Sequence, residues 1–106
     1  MVQNTKNEFL SEYYIAMNNS GLGIIIDGLF NCREYYDEDT NTTIDDITLR
    51  LIKEHTSMNT TRKRRIVVDA NELSLIRKCL LEWRNDELQK GNDMVVKFIG
   101  EVIILL

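Results

Sequence analysis

Gly21-Leu22-Gly23-Ile24-Ile25-Ile26-Asp27-Gly28 is the stretch on which the fold turns. Three consecutive isoleucines between glycines have the composition of a short buried strand. Leu22, Ile25, Ile26, Leu29, Phe30 and Arg33 also fall on one helical face. As a strand, Ile24–Ile26 would pair with Ile66–Val68 and the class would be α+β. As a helix, it makes the chain mostly α. The continuation of the apolar pattern through Phe30, Cys32 and Tyr36 favours the helix. Gly23 and Gly28 would each cost about 1 kcal/mol inside it, so close packing against the preceding helix is the expected compensation.

Upstream, Thr5-Lys6-Asn7-Glu8 has capping-box spacing. Phe9, Leu10, Tyr13, Tyr14 and Met17 follow at helical intervals, which predicts a first helix over residues 6–18. Downstream, Asp37 to Thr42 reads as a polar loop, and Thr43-Ile44-Asp45-Asp46 as the start of a helix with Ile44, Ile47, Leu51, Ile52 and His55 on one face. Arg65-Ile66-Val67-Val68 is a short strand candidate. Asp69-Ala70-Asn71-Glu72 is a second box, leading into Leu73, Ile76, Cys79, Leu80 and Trp83. Gly91 closes that helix and Asn92 opens the last, with Val95, Phe98, Ile99, Val102, Ile103 and Leu106 as its buried face.

The expectation is one domain over residues 1–106. It is mostly α: a compact bundle of about five short helices, a C-terminal antiparallel helix hairpin, and room for one short strand pair. The alternative is α+β. The chain has no proline, which permits long uninterrupted elements. The five apolar side chains among residues 101–106 call for burial in the core or in a partner.

Composition narrows the function. Of 106 residues, 43 % are apolar and 28 % charged, the mix of an ordinary soluble domain, at net charge −4. No run is long enough for a membrane span. Met1-Val2-Gln3-Asn4 does not open a basic and apolar leader, so a cytoplasmic protein is expected. Cys32 and Cys79 read as reduced core residues. With His55, the only histidine, they fall short of a closed zinc site. Gly21-Leu22-Gly23 followed by Gly28 lacks the lysine of a phosphate loop, and a helix is expected before it rather than a strand. No catalytic, cofactor or metal residues are assigned, and no enzyme is expected.

Two charge clusters remain. Arg62-Lys63-Arg64-Arg65 places four adjacent cations in a chain that would otherwise stand at net −8. Folding does not require them together, so they are solvated, paired with the protein's own acids, or meet an external anion. Asp37-Glu38-Asp39 is a solvated loop or an acidic contact surface.

In its size, its Asn, Thr, Ile and Lys content and its compact helices without a catalytic signature, the chain resembles the small early-region accessory proteins of bacteriophages of low-GC bacteria. The likeness is one of style over the whole chain. It implies a non-enzymatic protein, in the host cell cytoplasm, that binds a host protein or complex and blocks or regulates it. The alternative is a small nucleic-acid-binding regulator acting through residues 62–65.

Overall fold

The computed structural model describes residues 2–4, 12–33, 36–55 and 63–106. They form β1 (Val2–Asn4), β2 (Glu12–Met17), α1 (Asn19–Cys32), α2 (Glu38–Glu54), β3 (Arg64–Asp69), α3 (Ala70–Gln89) and α4 (Asp93–Leu105). The chain is mostly helical, but among the described residues four helices stand where about five were expected, beside a three-stranded antiparallel sheet in the order β1-β2-β3.

The sheet replaces the expected first helix. Tyr13, Tyr14 and Met17 fit helical spacing, yet Ile15 between them fits only alternation. Ile15 and Met17 are buried while Glu12, Tyr14 and Ala16 are half-buried. Tyr-Tyr-Ile suits a pleated surface. The capping box at Thr5–Glu8, with Phe9 and Leu10, lies outside the described residues. β2 pairs with β3 from Glu12↔Asp69 through Tyr14↔Val67 to Met17↔Arg64. Ile15 and Val68 therefore share the inner face with Ile66 and pack into the helical core.

The isoleucine stretch is helical. Asn18 caps α1 by accepting the Gly21 N–H at 3.0 Å on its side-chain oxygen. Leu22, Ile25 and Leu29 are fully buried, whereas Phe30, expected inside, is 69 % exposed. The compensation at Gly28 is close packing, but against α3. A Cβ there would lie 2.6 Å from Leu80 Cδ2 and 3.4 Å from Trp83 Cε3.

α2 begins five residues earlier than expected, because Asp37 accepts the Thr40 N–H at 2.8 Å and Glu38 and Asp39 occupy the first turn. Ile44, Ile47 and Leu51 face the core, while Ile52 is half exposed. Asp69 and Glu72 form the expected reciprocal capping box at the start of α3.

Gly91 turns the chain at φ +76°, a left-handed conformation that costs glycine nothing. α4 then returns along α3. Asn92 bonds Glu87, Gly100 sits beside Arg84, and the Leu106 carbonyl accepts from Arg77, an antiparallel progression. Val102 and Leu106 are buried as expected. Phe98 is not, being 47 % exposed.

Candidate interaction surfaces

The basic cluster leads into and forms part of a strand. Lys63 is exposed just before β3, and Arg64 and Arg65 are its first two residues, so the strand starts one residue ahead of the expected Arg65. Arg62 lies outside the described residues, and of Arg64 only the backbone, paired with Met17, is described. Because side chains alternate along a strand, Arg65 and Val67 share the sheet's outer face with Tyr14 and Ala16. The Arg65 guanidinium stands 5.3 Å from the Tyr14 ring centroid, within cation–π range. Glu12 opposes Asp69 at the far end of this face, so its charge runs from basic to acidic along β3.

The other edge chemistry is inward-looking. Arg50 of α2 donates to the Val67 carbonyl at 3.3 Å and pairs with Glu72, whose second oxygen accepts the Asp69 N–H at 2.9 Å. One guanidinium thus covers part of β3 and braces the α3 cap.

Asp37, Glu38 and Asp39 do not form a loop. The backbone N–H of Thr40 holds the Asp37 carboxyl below its usual range. Glu38 and Asp39 are exposed at the positive end of the α2 dipole. This is a structural account of the acidic run.

A cleft of about 590 Å³ opens between the start of α1 and the last turns of α4. Ile24, Phe98, Val102 and Leu105 make its apolar surface, and Asp27, His55 and Glu101 add polar groups. A strand precedes Gly21-Leu22-Gly23, contrary to expectation, which is the context of a phosphate loop. The lysine is still missing, two carboxylates line the cleft, and Asn18 already takes the Gly21 N–H.

Cys32 and Cys79 are free, buried thiols on α1 and α3. Cys32 Sγ donates to the Cys79 carbonyl at 3.3 Å. Its hydrogen bonding with Cys79, its burial and the neighbouring Glu82 push its pKa far up, so it stays a thiol. Tyr36 donates to Glu82 at 2.9 Å, and Lys78 Nζ lies 5.3 Å from the Tyr36 ring centroid. Among the described residues there is no group of three or more His, Cys, Asp or Glu placed to hold a metal. No helix of the described residues is long and apolar enough to cross a membrane.

Comparison with known proteins finds no matching family model, no matching curated protein and no matching solved structure. The sequence reading missed two features. Tyr14 as the neighbour of Arg65 depends on a register between distant strands. The exposed apolar strip of α4 that borders the cleft was hidden because that helix is apolar on nearly every side.

Proposed function

We propose that this chain is a non-enzymatic interaction protein that acts in the cytoplasm of a host bacterium by docking on an acidic region of a host protein complex and inhibiting or regulating it. The observation that supports this reading is the row formed by Arg65 over Tyr14 on the outer sheet face, with Lys63 exposed beside it. An aromatic ring partnered by arginine on a strand surface is a rigid anchor of the kind enriched at interfaces. The flanking cations would steer an acidic partner toward it.

A second reading, a nucleic-acid-binding regulator, draws on the same row. A ring for base stacking beside guanidinium and ammonium groups for phosphates is the working pair of single-strand binders. The chain's net charge of −4 weighs against it.

The test is capture of partners from nuclease-treated bacterial lysate on the wild-type chain and on the double variant Lys63→Glu, Arg65→Glu. A protein held by the wild type and lost from the variant is the expected result. Capture unchanged by the double reversal overturns a role for this face. Nuclease-sensitive capture, together with a single-stranded oligonucleotide retained with a steep salt dependence, would move the assignment to nucleic acid.

A further inference from the structure

α4 carries a second apolar stripe that the fold leaves exposed, part of it along the cleft beside the start of α1. Met94 is 71 % exposed, Phe98 47 % and Leu105 39 %, and with Glu101 they recur at intervals of four, three and four residues along one helical face. Ile104, 84 % exposed, borders the stripe one position round the helix, as does Lys97. The neighbouring stripe, Val95, Ile99, Val102 and Leu106, little more than a quarter turn round the helix, is the one packed in or against the core. Large apolar groups left exposed beside the packed stripe of a thirteen-residue helix are the mark of an interaction surface.

We propose that the partner of this surface is a second copy of this chain, docked through an antiparallel α4–α4 pairing about a two-fold axis that passes between Phe98 and Glu101. The charges select this occupant and this register. Lys97 is the one cation of α4, and Glu101 lies a turn away on the same side. Reversing the partner helix about that axis sets each Lys97 beside the partner's Glu101, giving two reciprocal ion pairs. A parallel pairing in register would set like charges together. The same axis brings Met94 against the partner's Leu105. The two Phe98 rings then lie about 4.5 Å apart along the helix direction, close enough to stack. An isologous contact requires a self-complementary patch, and this stripe is one. It is carried by a single helix, so it falls at the small end of specific interfaces, and the dimer is expected to exchange with monomer at micromolar concentrations.

The interface uses α4, which packs on α3 and α1, and leaves the outer sheet face free. This inference therefore stands apart from the function proposed above. Its test is sedimentation equilibrium on the full chain from low to high micromolar concentration. A concentration-dependent dimer is expected, and Phe98→Glu should raise its dissociation constant at least about tenfold. Should Phe98→Glu fold poorly by circular dichroism, the pair Met94→Glu, Ile104→Glu provides the same reading from more exposed positions. Lys97→Glu and Glu101→Lys should each weaken the dimer, and the double charge swap should restore it. A chain that stays monomeric throughout overturns the proposal. A dimer indifferent to the stripe variants, or one that the swap does not restore, overturns this interface and its register.

Discussion

Tyr36 and Glu82 join the residue just before the α2 cap to the middle of α3, the phenol donating to a carboxylate oxygen at 2.9 Å. Burial first, and then this bond to an anion, hold the phenol pKa above its ordinary 10.0. The folded protein therefore keeps a proton that the unfolded chain releases near that pH. The associated stability is complete below the unfolded value and is lost as pH rises beyond it. Alkaline melts should show this loss, and Tyr36→Phe should flatten it while costing about 1 kcal/mol at neutral pH. Equal alkaline sensitivity in both proteins would refute the assignment.

At the other end of the pH scale, Asp37 is the group to watch. Its carboxyl is held below the usual range by the Thr40 N–H, so its contribution is present above that range and fades as pH falls through the lowered value. Asparagine caps helices as well as aspartate does, without titrating. Asp37→Asn should match the wild type at neutral pH and lose less stability on acidification. The two acid-melt curves, overlaid, decide it.

The α3 cap offers a contrast between two helix starts. Asp69 makes a full reciprocal box, whereas Asn92 makes no side-chain capping bond at the start of α4. Asp69→Ala should cost about 0.5–2 kcal/mol in urea unfolding. Any destabilisation from Asn92→Ala should instead be suppressed when Glu87, its side-chain partner, is replaced first.

Packing at Gly28 sets the fit of α1 on α3. Replacing it with leucine pushes against Leu80 and Trp83 in a filled core and should destabilise by about 1–3 kcal/mol. Gly91→Ala fails for a different reason. There is open space around it, and the cost of about 1 kcal/mol comes from its left-handed backbone alone. Melting both variants with unchanged mutual additivity would confirm two separate causes.

Deleting residues 102–106 removes Val102 and Leu106 from the core along with exposed Ile104 and Leu105. The truncated chain should be unfolded or aggregated, while Ile104→Lys in the full chain should melt near the wild-type temperature. A soluble truncation with an unchanged melting point would show that this end contributes little to stability.

Elements with a local stop and start were legible. Asp69 with Glu72, and Gly91, each marked a boundary through chemistry confined to one turn, whereas Asn18, expected as the last residue of a helix, instead caps the start of α1. β2 was misread because six residues hold too few periods to separate an alternation of two from a repeat of 3.6. Only the neighbours of Ile15 could decide it. The start of α2 was missed because an acidic run suits a solvated loop and a capped first turn equally well. α4 was assigned correctly as a helix, but its buried face was blurred: its apolar residues extend well beyond one face, and Ile99 sits at the centre of the packed stripe while Phe98 falls at its margin. As for the candidate surface, the four cations were visible as charge. Tyr14 beside Arg65 was not, since their contact is made by a strand pairing that spans both α1 and α2 in the chain.

That long-range pairing also constrains how the protein comes into being. β2 is the central strand, yet its longer partner β3 is made about fifty residues later, so a ribosome delivers α1 and α2 before that side of β2 is closed. Throughout that interval the edge of β2 that will bond β3 presents its backbone groups to whatever is nearby. The strand that closes it opens with Arg64 and Arg65 behind Lys63, a burst of like charge that discourages two nascent chains from pairing their β3 segments in parallel register. The cations at this strand would then guard assembly before they ever meet a partner.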